Sequence, residues 1–108
     1  MKIYTSRINY NGADKLDITV KSGVQAFAPS WNMVMAYKSG KMSIDEYQAL
    51  YLARMRQSYV ENRAVWDKYL KRERLVFCCY CLAGNFCHRI LLAEIFVKLG
   101  GEYLGEIK

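Results

Sequence analysis

Cys81-Leu82-Ala83-Gly84-Asn85-Phe86-Cys87-His88-Arg89 gathers thiols, an imidazole and a guanidinium into one short stretch. A thiolate at Cys81 or Cys87 is a nucleophile, and a helix start beside it favours its charged form. His88, the only histidine in the chain, serves as acid, base or ligand. Arg89 offers a planar fork for phosphate or carboxylate. Gly84 and Asn85 form a turn from which the free amides of a first helical turn, aided by the helix dipole, face an anion. Thr5, Ser6 and Arg7, at the end of a first strand, complete an anion pocket from the opposite side. Ser30 and Trp31 join the substrate-binding set, with Trp31, Tyr4 and Tyr37 as surfaces on which a base can stack. Most of the nine tyrosines read instead as core-edge residues with a wet hydroxyl.

All four cysteines, Cys78, Cys79, Cys81 and Cys87, fall within one decapeptide. Disulfides stabilise by closing loops, and this stretch has no useful loop to close. Thiols or metal ligands are therefore expected. Cys78 reads as a core residue, whereas Cys79 shares a strand face with Cys81. Cys79, Cys81, Cys87 and His88 are zinc-type ligands. Their spacing departs from paired Cys-x(2–4)-Cys knuckles, so no metal and no cofactor is assigned.

The flanking segments must hold this stretch in place. Lys2–Arg7 is β-prone, and Asn11-Gly12 marks a turn before a second strand over Leu16–Val20. Ser30 is the N-cap of a short helix closed by Gly40. Ser43 and Glu46 form a capping box, and Ser58 and Glu61 a second one, which predicts a break or kink near Gln57, either one kinked helix or two helices. Arg74–Cys81 is a continuous apolar run suited to a central strand. A nearly all-apolar helix follows from about Phe86 to Leu99, then a last strand over Glu102–Ile107. The order predicts a single α/β domain over 1–108, in three layers, with a small, largely parallel central sheet flanked by helices. Leu75 to Ile107 reads as a right-handed βαβ crossover. Ligands of such sheets bind beyond the carboxyl ends of the strands.

Composition narrows the function classes. The chain has 108 residues, 53% of them hydrophobic, with a single proline, which excludes disorder and supplies a core. No apolar stretch approaches the roughly 20 residues of a membrane span. The opening residues lack a signal-peptide pattern, so a cytoplasmic location without membrane contact is expected. The net charge of +6 suits an anionic partner or simple solubility. Most of that charge lies between Arg54 and Arg74, where seven Lys/Arg face three Asp/Glu. A solvated helix face is its default reading, against a nucleic-acid footprint shared by Arg56, Arg63 and Lys71 if the helix is continuous.

The stretch Leu75–Cys81, then Asn85-Phe86-Cys87-His88-Arg89 and Leu91-Leu92-Ala93, resembles the Cys…Cys-His-Arg signature of the domain-of-unknown-function 488 family. The likeness extends to Ile3-Tyr4-Thr5-Ser6, Phe27-Ala28-Pro29-Ser30-Trp31, Ser43 to Tyr47 and Met55-Arg56. It implies a small α/β protein of bacterial or phage origin and brings no settled activity. Cys81–Arg89 is also similar to the loop of low-molecular-weight tyrosine phosphatases. It is longer between thiol and arginine, and Ile90 stands where the phosphatases carry a hydroxyl. What the two share is a strand-loop-helix anion cradle.

The expected function is recognition and turnover of a phosphate-bearing small molecule or nucleic-acid fragment. Cys81, Cys87 and His88 would be catalytic, as in a thiol-dependent hydrolase or transferase. The alternative is a non-catalytic module, nucleic-acid-binding or zinc-stapled. Oligomeric state is not legible from these residues.

Overall fold

The computed structural model describes residues 1–80 and 88–107. The chain runs β1 (Lys2–Arg7), β2 (Lys15–Asp17), a 3₁₀ turn (Gln25–Phe27), α1 (Trp31–Lys38), α2 (Ile44–Glu61), α3 (Arg63–Leu70), β3 (Arg74–Cys79), α4 (His88–Lys98) and β4 (Glu102–Ile107). The sheet order is β2-β3-β1-β4, and every neighbouring pair is parallel. β3 and β4 therefore do not pair. The chain from β3 through α4 to β4 passes over β1, which lies between them.

The expected α/β, three-layer class is what the structure shows. On the sheet, Ile3, Leu75, Phe77 and Cys79 belong to the continuous core. Phe77 meets Phe96 of α4 at 5.0 Å between ring centroids, and Phe96 stacks on Trp66 of α3 at 5.4 Å. Sheet, α4 and the α2–α3 pair thus follow one another in depth. The opposite sheet face carries Val76 and Cys78, both fully buried. At its edge the Arg74 guanidinium lies over the Tyr4 ring at 4.3 Å and pairs with Asp14. The radius of gyration, 13.0 Å, is that of a compact domain of this length. Among the described residues no helix is long and apolar enough to cross a membrane.

Local signals explain most boundaries. The Ser30 hydroxyl accepts the Met33 amide at 3.2 Å and starts α1. Ser43 and Glu46 form the expected reciprocal box at the start of α2. The second box does not form. α2 continues past Gln57 and Ser58 to Glu61, because the Ser58 hydroxyl donates to the Ala26 carbonyl at 2.5 Å instead of capping a helix. The break falls at Asn62, whose carbonyl accepts the Val65 and Trp66 amides. α2 and α3 are separate helices, so Arg56, Arg63 and Lys71 do not line one continuous helix face. β2 is shorter than expected. The Asp17 carboxylate accepts the Thr19 amide at 2.9 Å and the Thr19 and Ser22 hydroxyls at 2.8 and 2.6 Å, which turns the chain out of the sheet.

Candidate active site beyond the strand ends

The carboxyl end of β3, the segment after β2 and α1 line one cavity of about 320 Å³. Its position follows from two tied-down segments. The first is the Asp17–Ser22 knot. Burial pushes the Asp17 carboxyl up, but the Ser22 and Thr19 hydrogen bonds and Lys15 outweigh it and hold the group below the usual carboxylate range. The knot sets Thr19 and Lys21 on the cavity wall. The second segment is Ala26–Ala28, whose three carbonyls accept hydrogen bonds from Ser58, Tyr51 and Arg54 of α2 at 2.5, 2.8 and 2.8 Å. Pro29 and Trp31 follow directly and also line the cavity.

The wall is aromatic and cationic. Trp31, Tyr37, Tyr47 and Tyr80 supply rings, and Lys21 and Lys38 the charge. Trp31 is 54% exposed, so its ring is open to a ligand. Cys79 and His88 line the same cavity from the end of β3 and the start of α4.

His88 is buried, with Nε2 at 2.7 Å from the Ile18 carbonyl oxygen. A carbonyl only accepts, so Nε2 carries the proton and the neutral ring keeps its lone pair on Nδ1. Burial pushes the imidazole down to about 4, with Arg89 adding to the fall and the Ile18 bond opposing it. At neutral pH His88 is therefore a neutral imidazole. Ile18 also donates its amide to Cys78, so one residue joins β2, β3 and α4.

Arg89 lies 1% exposed, with Nε and Nη2 donating to the two carboxylate oxygens of Glu106 at 3.1 and 2.7 Å. Its Nη1 donates to Cys79 Sγ at 2.9 Å. The Glu106 contact was not visible in sequence. Between Ile3 and Tyr4 the β4 register slips, Tyr103 pairing with Ile3 but Gly105 with Tyr4. This bulge puts Tyr103 and Glu106 on the same sheet face, which a regular strand would forbid. It needs Gly105, whose φ is +117°. A glycine inside a strand pattern was the available signal.

The other expected site residues divide plainly. Thr5 is fully buried, with Oγ1 at 2.7 Å from the Tyr103 hydroxyl, and Ser6 donates to the Ile107 carbonyl at 3.1 Å. Arg7 is exposed. These three and Arg89 are not among the residues that line the cavity, whereas Trp31 and His88 are. Ser30 caps α1 beside it. Cys81, Gly84, Asn85 and Cys87 lie outside the described residues. The expectation of four thiols is corrected at Cys79, which is disulfide-bonded, while Cys78 is a buried free thiol. Loop-closure entropy governs what a disulfide contributes to stability, but proximity governs whether it forms, and the crowding that argued against a bond permits one. Among the described residues no three His, Cys, Asp or Glu side chains converge as metal ligands.

A family model described as the active DUF488-N3 subclade matches residues 1–100. The chain belongs to the DUF488 family. The match spans β1, β2, β3 and the four helices, and with them Trp31, Cys79, His88 and Arg89, and it stops before β4. No curated protein and no solved structure matches the chain.

Proposed function

We propose that this DUF488 protein binds and turns over a small phosphate-bearing aromatic ligand, a nucleotide or nucleic-acid fragment, in the cavity beyond the strand ends. The observation that carries the reading is the combination around one cavity of four aromatic rings, two lysines and a neutral, buried histidine. Rings at Trp31 and Tyr37 suit a base, and Lys21 and Lys38 suit its phosphate. His88, lone pair on Nδ1, is suited to accept a proton. Cys81, Gly84, Asn85 and Cys87 fall in the sequence between Tyr80 and His88, both of which line the cavity. Arg89 supports the site through Glu106 and Cys79. The family model's description as active supports turnover over binding alone.

Fluorescence titration tests this. Trp66 is fully buried and Trp31 half-exposed, so quenching by a cavity ligand reports on Trp31. A nucleoside 5′-monophosphate should quench saturably and bind more tightly than its nucleoside. Lys21→Gln with Lys38→Gln should weaken it about tenfold or more, as loss of charge-assisted bonds does. Equal affinity in the double variant, or no saturation in the parent, overturns the reading.

A further inference from the structure

Cys79 occupies the last position of β3, on the sheet face covered by α4, and lines the cavity. Its surroundings differ from those of Cys78 on the opposite face. There, burial pushes the thiol up to about 11. At Cys79 the Arg89 guanidinium donates directly to Sγ at 2.9 Å. That cation is held in place, since its Nε and Nη2 fork onto Glu106 and it is 1% exposed. A fixed positive charge touching sulfur away from bulk water favours thiolate over thiol.

We propose that in the reduced protein Cys79 is the nucleophilic thiolate of the cavity, with Arg89 as its counter-ion and Glu106 as the residue that positions Arg89. The proposal rests on the cavity reading above only for which ligands reach the sulfur. Its chemistry is plain with an alkylating probe. Against iodoacetamide the thiolate forms a carbon–sulfur bond as the carbon–iodine bond breaks and iodide leaves. The thiol proton has already gone to solvent.

The full chain is first reduced with dithiothreitol, which takes up the disulfide's two electrons in its own ring closure, and the reductant is removed under nitrogen. Limiting iodoacetamide is then applied across pH, and tandem mass spectrometry assigns each modified cysteine. Cys79 should alkylate with a midpoint at least about one pH unit below the ordinary thiol value of about 8.5. Arg89→Gln combined with Glu106→Gln removes both charges together and avoids leaving either one buried alone. It should return the midpoint to the ordinary value or above, slowing Cys79 alkylation at neutral pH about tenfold or more. Thiolate ultraviolet absorbance in Cys78→Ser/Cys81→Ser/Cys87→Ser gives the same midpoint without depending on reagent access. A merely structural pair would change stability and leave the midpoint alone. A parent midpoint at or above the ordinary value, or one unmoved in the double variant, overturns the proposal. Titrating the same samples with a nucleoside monophosphate separates the two claims. Lost binding with a low midpoint refutes only the cavity reading, and retained binding with an ordinary midpoint refutes only the thiolate.

Discussion

Replacing His88 with glutamine isolates the largest acid-sensitive contribution tied to the site. The native imidazole is neutral because burial, reinforced by Arg89, pushes it from 6.5 down to about 4. In the unfolded chain it takes up a proton near its ordinary value. Between those two values the unfolded state binds the extra proton, so stability from this group is complete above about pH 6.5 and is lost as pH falls toward 4. The gap of about two and a half pH units, at about 1.4 kcal/mol each, amounts to between about 3 and 4 kcal/mol in full. Glutamine does not titrate, and its side-chain N–H can still donate to the Ile18 carbonyl. Urea unfolding of parent and His88→Gln should be compared at a series of pH values, because carboxylates common to both cancel in the difference. The parent's advantage should shrink by about 3 kcal/mol from neutral pH to about pH 4. An advantage that stays constant across that range would show a solvated histidine and refute the argument.

Two further outcomes follow from the scaffold. Ser58→Ala should cost about 1–3 kcal/mol in urea unfolding, because the Ala26 carbonyl and the buried Trp66 Nε1 lose their partner; a cost below about 0.5 kcal/mol would contradict that network. Gly105→Ala should cost about 1–3 kcal/mol through the strained φ at the bulge. It should also raise hydrogen exchange along β4, and unchanged exchange there would mean the bulge does not depend on glycine.

The features legible in sequence are those set by neighbours along the chain. Ser30 and the Ser43–Glu46 box cap their helices because cap and amide lie within one turn. The apolar run from Leu75 announced an interior strand, and β3 does lie between two others. The misreadings are places where a distant partner outbid a local one. Ser58 satisfies the same serine-to-glutamate pattern as Ser43, yet the Ala26 carbonyl takes its hydroxyl. Glu106 meets Arg89 only because a register slip turns it to the α4 face, and no spacing within β4 encodes the pairing with β1. Trp31 and His88, singled out for their chemistry, line the cavity. Lys21 and Lys38 were not singled out, since a lone lysine on a polar segment looks the same whether or not a cavity opens beside it.

The most direct measurement of the central claim is a crystal structure of the protein with a nucleoside 5′-monophosphate. The account predicts the base against Trp31 and Tyr37, with phosphate oxygens within hydrogen-bond distance of Lys21 or Lys38 Nζ. A nucleotide bound on the basic α2–α3 surface, with the cavity empty at saturating ligand, would contradict it.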